Sequence, residues 1–196
     1  MTFEAPVVSI ALSPDSKKSY VGTANNKIFE VNMENYEIKN IFGDANLPAV
    51  AMRVSKNNKY LFALRNALIL DIFDIQNQKK LYSFTFPIDN MITGFTENPQ
   101  TNNFFILRKD NSITEYDINT GEALIVYALA TNSEKNFLRK MTVSDNRILF
   151  YSDIQDNTES LVMKNLQSGQ INHATNVRIF SSNIVVNKDA SLLYVN

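Results

Sequence analysis

The chain has 196 residues, 44% hydrophobic and 20% charged, with a formal net charge of −1. Such a composition supplies a sizeable core and lacks the concentrated basic footprint of a dedicated nucleic-acid binder. There is no cysteine, which removes disulfides and thiolate chemistry, and no apolar run reaches the roughly 18–20 residues that span a bilayer as a helix.

In chain order, the first unit covers about residues 7–42. It reads as four strands: Val7 to Leu12, Ser19 to Ala24, Lys27 to Met33 and Glu37 to Phe42. The turn Ser13-Pro14-Asp15-Ser16-Lys17 separates the first two, and these residue types bend the chain through side-chain bonds to nearby backbone. The second unit, 49–86, carries Ser55-Lys56-Asn57-Asn58-Lys59 at the equivalent place, 42 residues later. The third, 91–129, has Thr96-Glu97-Asn98-Pro99, and the fourth, 138–180, has Ser144-Asp145-Asn146. A partial fifth, 183–196, contains Asn187-Lys188-Asp189-Ala190-Ser191. Each turn leads into an aromatic or branched run, such as Tyr60-Leu61-Phe62-Ala63-Leu64 and Phe104-Phe105-Ile106-Leu107, suited to a pleated buried surface. No stretch keeps a 3.6-residue amphipathic period, so almost no helix is expected.

A second landmark keeps step with the first. The third strands end on Asn32, Asp74, Asp117 and Asn165, spaced by 42, 43 and 48 residues. These four residues are expected to order the turns between third and fourth strands. A period of roughly 40–50 residues made of short strands is the pattern of β-propeller blades. The fold class is therefore all-β: four four-stranded blades plus a partial fifth.

Ser13 to Val21 resembles the first turn of WD40 and YVTN-type repeats, and Phe73-Asp74 and Tyr116-Asp117 are similar to degenerate Trp-Asp pairs. The chain thus resembles the WD40-like propeller superfamily along nearly its whole length. It departs in having no Trp and no Gly-His pair at any blade start, so the Asp–His–Ser/Thr–Trp network of strong WD repeats cannot form. The resemblance implies a non-catalytic scaffold for protein partners in a multi-subunit complex, as in ribosome-assembly, coat, axonemal and ubiquitin-ligase assemblies. With its partial last unit the chain is expected to be a segment of a larger ring, to be completed by further sequence, another polypeptide or a second copy.

Residues that could carry chemistry are few. His173 is the single histidine and has no identifiable catalytic partner. Asp71 and Asp74 are three apart in a strand and so point to opposite faces, while Glu115 and Asp117 share a face. Asp153, Asp156 and Asn157 are expected in a solvated acidic loop without the ordered ligands of a calcium site. Five glycines are scattered, with none forming a phosphate loop. Phe84, Phe86, Phe104 and Phe105 are expected to pack sheets. No cofactor or metal is expected. The insertion at 130–139 lengthens the last spacing, and Lys135, Phe137, Arg139 and Lys140 in and beside it are the nominated partner-binding residues.

Two further function classes compete with the scaffold: an enzymatic or ligand-binding propeller of lactonase or dehydrogenase type, and an RNA-associated scaffold touching phosphates through scattered Lys and Arg. The start at Met1-Thr2-Phe3-Glu4 has neither the basic nor the apolar part of a signal peptide, and Asn-x-Ser/Thr is absent. The expected location is intracellular, cytoplasmic or nuclear, with no membrane and no direct nucleic-acid partner.

Overall fold

The computed structural model describes residues 2–42, 46–98, 100–101, 103–110, 112–128, 141–144, 147–155, 158–174, 184–186 and 191–195. They form two compact units, Met1–Ile88 and Asp89–Asn196. Among the described residues the strands are interrupted by one helical turn, a 3-10 segment at Ile88–Asn90.

The first unit holds two four-stranded antiparallel sheets. One is β1 (Val7–Leu12), β2 (Lys18–Thr23), β3 (Ile28–Asn32) and β4 (Ile38–Phe42), in that spatial order. The other is β5 (Ala49–Val54), β6 (Tyr60–Arg65), β7 (Ile69–Asp74) and β8 (Lys79–Thr85). Strands pair with their neighbours in sequence, as hairpins joined by short turns do. Ala11, Tyr20, Ile28 and Phe42 of the first sheet pack on Ala49, Val54, Leu61, Ala63 and Phe73 of the second. The Phe42 and Phe73 rings pack directly on each other, with centroids 4.2 Å apart and planes tilted by 31°. Gly22 sits at a close approach: a Cβ there would stand 2.7 Å from Ser9 Oγ and 3.1 Å from the Ala49 carbonyl. The Ser9 hydroxyl donates to that same carbonyl, tying β1 to β5.

The second unit repeats the plan with β9 (Ile92–Glu97), β10 (Phe104–Arg108), β11 (Ser112–Tyr116) and β12 (Ala123–Ala128). Then come β13 (Met141–Val143), β14 (Ile148–Gln155), β15 (Thr158–Asn165) and β16 (Ile171–Ala174). A two-stranded pair follows, β17 (Ile184–Val186) and β18 (Leu193–Val195). Phe105, Leu107 and Ile113 pack on Met141, Val143, Leu149, Tyr151 and Val162 to form the core.

The first three inner strands share a feature that residue types did not announce. The ladder between β1 and β2 skips Val8, that between β5 and β6 skips Val50, and that between β9 and β10 skips Thr93. These bulged residues keep the 42- and 43-residue spacing of Asn32, Asp74 and Asp117. A bulge sharpens the local twist, so its recurrence gives successive sheets the same bend at the same point.

Asp153 departs from expectation. It lies in β14 opposite Ser160, and the hairpin ladder continues to Gln155 opposite Thr158. Extended cross-strand pairing has carried the strand through a residue type usually depleted from strands. Asp156 and Asn157 fall outside the described residues.

Candidate functional site

The four residues that end the third strands build the same turn. The Asn32 carboxamide oxygen accepts from the Glu34 and Asn35 backbone N–H groups at 2.8 and 3.4 Å. Asp74 Oδ1 accepts from Asn77 N–H at 2.9 Å, and its Oδ2 from the Asn77 side-chain amide at 2.9 Å. Asp117 accepts from Asn119 and Thr120 at 2.6 and 3.0 Å, and Asn165 from Gln167 and Ser168 at 2.9 and 3.0 Å. Each is an Asx turn, in which a short side chain stands in for a backbone carbonyl. Four residues further on, the chain is left-handed every time: Tyr36 (φ 58), Gln78 (φ 50), Gly121 (φ 73) and Gly169 (φ 73). Asn77's two donors stabilise the charged form of Asp74 and hold its carboxyl below 3.8.

At the same end of each sheet the first turn is built around a buried residue. Ser13 Oγ accepts from Lys18 N–H at 2.9 Å, Ser55 Oγ from Tyr60 N–H at 2.8 Å, and Ser144 Oγ from Ile148 N–H at 3.2 Å. Ser13 and Ser55 also donate to Asp15 and Asn57, at 2.6 and 2.7 Å. Buried Asn98 holds the equivalent place in the third sheet and accepts from Gln100 N–H at 3.1 Å. The two turns are joined by main chain: Met33 N–H donates to the Lys17 carbonyl, Ile75 to Lys59 and Leu166 to Arg147, at 2.8, 2.9 and 3.0 Å.

Two buried carboxylates anchor side-chain networks. Arg65 Nε meets Asp71 Oδ2 at 2.6 Å, with the two side chains 3% and 2% exposed. Ser83 donates to Asp71 Oδ1 at 2.7 Å, and Arg65 Nη1 donates to the Leu47 carbonyl. In the second unit Glu115 Oε1 accepts from Asn98 and Asn103 Nδ2, both at 3.1 Å. Its Oε2 accepts from the Tyr127 hydroxyl at 3.3 Å and from Arg147 at 3.2 Å. The sequence set Asp71 and Asp74 on opposite faces and Glu115 and Asp117 on one face, and foresaw neither network. Glu115's partners Asn98 and Arg147 lie 17 and 32 positions away, beyond any local pattern.

Among the described residues no group of three His, Cys, Asp or Glu side chains could hold a metal ion. His173 lies in β16 opposite Val162. Phe104 and Phe105 are wholly buried, with Phe104 stacked on Tyr116 at 5.3 Å, and Phe84 and Phe86 are half-buried. Lys135, Phe137, Arg139 and Lys140 lie outside the described residues.

Recurring four-stranded antiparallel sheets with paired end turns define the chain as an all-β array of propeller blades. Comparison with solved structures agrees. The chain is similar to a structure of U3-55K (12% identity, TM-score 0.69), over 88% of this chain and 53% of that one. It is similar to the RRP9 WD40 repeats (12%, 0.67, 88% and 52%) and to Kuenenia stuttgartiensis hydrazine synthase (12%, 0.72, 98% and 56%). The match therefore spans about half the length of each of these chains. At this identity the likeness shows the fold alone, a β-propeller. No protein-family model and no curated protein sequence matches the chain. Among the described residues, no helix is long and apolar enough to cross a membrane.

Proposed function

We propose that this chain is a non-catalytic propeller scaffold that holds protein partners within a larger assembly. One observation carries the reading: the acidic residues best placed for chemistry are already engaged in holding the blades. Asp71 and Glu115 are saturated by donors from their own unit, and Asp74 and Asp117 are engaged by turn amides. A catalytic carboxylate needs a free lone pair aimed at substrate, whereas these oxygens face protein donors. Within the first unit one face of β1 is left apolar and open, with Val8, Ile10 and Leu12 at 41%, 61% and 57% exposure. A blade face of this kind is normally covered by the next sheet, which supports completion of the ring by further sequence or a second polypeptide. The inserted segment with Lys135, Phe137, Arg139 and Lys140 remains the proposed partner-binding loop.

The test is to size the native protein in extract from its source and to follow its complex across a salt series. The scaffold predicts a stoichiometric protein complex that survives moderate salt. Turnover of a small substrate by the purified chain, abolished by replacing one carboxylate, overturns it. Steep loss of bound RNA with salt would replace it by the RNA-associated reading.

A further inference from the structure

The turn between β3 and β4 carries a side chain that the fold does not use. Tyr36 is 63% exposed, whereas among the described residues every other tyrosine and phenylalanine is buried or half-buried. Its ring makes no aromatic contact, and its hydroxyl no hydrogen bond, with any described residue. Its backbone is left-handed (φ 58), a conformation that crowds a Cβ and suits glycine. The equivalent residues of the other sheets are Gln78, Gly121 and Gly169. A tyrosine here costs stability and gains no packing within the chain. Gln78 is exposed, and a Cβ on Gly169 would meet nothing within 4 Å. The position therefore lies outside the packing between sheets, and a further sheet laid on β1 would leave Tyr36 in water.

The turn itself is firmly bonded. Tyr36 N–H donates to the Asn32 carbonyl at 2.8 Å, Asn32 N–H to the Glu37 carbonyl at 3.0 Å, and Glu37 N–H to Asn35 Oδ1 at 3.0 Å. Met33, in the same turn, is 38% exposed and adds a second apolar side chain. Charge decides what can approach. Lys39 reaches Glu37 at 3.7 Å, and Asp15 offsets Lys17 in the joined first turn. Glu34 has no cation within ion-pair distance among the described residues. An uncompensated carboxylate thus stands two residues from the exposed ring.

We propose that Tyr36 is the anchor of a protein–protein contact, received by an apolar pocket on a partner protein whose rim carries lysine or arginine facing Glu34. Tyrosine is enriched among the few residues that dominate interface affinity, because its ring fills a pocket and its hydroxyl finds a polar partner at the far end. A turn fixed before binding loses little freedom on docking. The same ring could stack on a nucleic-acid base, but the phosphates beside that base would meet Glu34 and Glu37. An anionic membrane surface is repelled by the same two carboxylates. This inference deepens the scaffold reading and rests on it for the existence of a partner.

Tyr36→Gly separates binding from folding, because glycine suits this backbone and the variant should unfold no earlier than the parent. The full chain and its variants are compared in source extract by sedimentation over a dilution series, which gives the apparent dissociation constant of the native complex. Tyr36→Gly should weaken the complex by about thirtyfold or more, the mark of an anchor residue, and Tyr36→Phe by less than about fivefold. Glu34→Lys should weaken it by about tenfold at low salt, with the difference shrinking as salt rises. Gln78→Gly, the same change in the second sheet, should leave it unaltered. Parental affinity in Tyr36→Gly, or equal loss in Gln78→Gly, overturns the anchor and leaves the scaffold standing. Collapse of the complex on nuclease treatment overturns the protein pocket in favour of nucleic acid. A complex built of 22.3 kDa chains alone overturns it in favour of a second copy. A parent chain that sediments alone overturns scaffold and anchor together.

Discussion

Asparagine at position 71 is a small chemical change with a large expected cost. The substitution keeps the volume and one acceptor oxygen, so the Ser83 bond at 2.7 Å survives. It removes the charge that faces Arg65 Nε at 2.6 Å, where both side chains are nearly inaccessible to water. Arg65 then keeps its charge in a low-dielectric site with the Leu47 carbonyl as its remaining strong acceptor. Breaking one side of a buried ion pair costs about 3–5 kcal/mol, because the survivor is neither hydrated nor neutralised. Lys80 also approaches Asp71, at 3.7 Å, but it is 47% exposed. That contact is worth less than about 1 kcal/mol and cannot be the source of a large effect. Urea unfolding followed by far-ultraviolet circular dichroism measures the difference, and the midpoint should fall by on the order of 2 M. Arg65→Met combined with Asp71→Leu removes both charges and should recover most of the loss. An Asp71→Asn variant within about 1 kcal/mol of the parent, or a double variant worse than the single, would refute the buried-pair argument.

The left-handed turn position gives a second prediction. Gly169→Ala places a Cβ in open space at φ +73, so its cost of about 1 kcal/mol is conformational alone. Tyr36→Gly, at the equivalent exposed position, should gain about 0.5 kcal/mol after the added freedom of the unfolded chain is counted; a neutral Gly169→Ala in thermal unfolding would sink the account. A third concerns acid. The Asn77 donors hold the Asp74 carboxyl below its ordinary value when folded, so its contribution is present above the unfolded value and is lost as pH falls through the folded one. Asp74→Asn should flatten this part of the stability–pH curve, and a carboxyl titration midpoint at or above 3.8 by NMR would contradict it.

What the sequence disclosed was local. Asn32, Asp74, Asp117 and Asn165 were legible because the side chain makes the turn itself, within three residues of its own position. The strands around Tyr60 and Phe104 were legible because β-branched and aromatic residues cluster between turns. The bulges at Val8, Val50 and Thr93 left no mark, since a bulge is a property of pairing and these residue types are ordinary in strands. Asp71 was named from the sequence, yet its bond to Arg65 depends on side-chain reach across a hairpin and was not foreseen. Asp153 was placed in a loop on composition and belongs to a strand on register.

The bonds that join the two end turns of a blade run from Met33, Ile75 and Leu166 to carbonyls of Lys17, Lys59 and Arg147. Both atoms of each bond belong to the main chain, and every residue but proline can donate there. Mutation can therefore rewrite the side chains at these six positions without cutting the stitch. A repeat fastened in this way tolerates change in its side chains while its outline persists. A fastening made of backbone alone is compatible with 12% identity to structures that the chain still overlays.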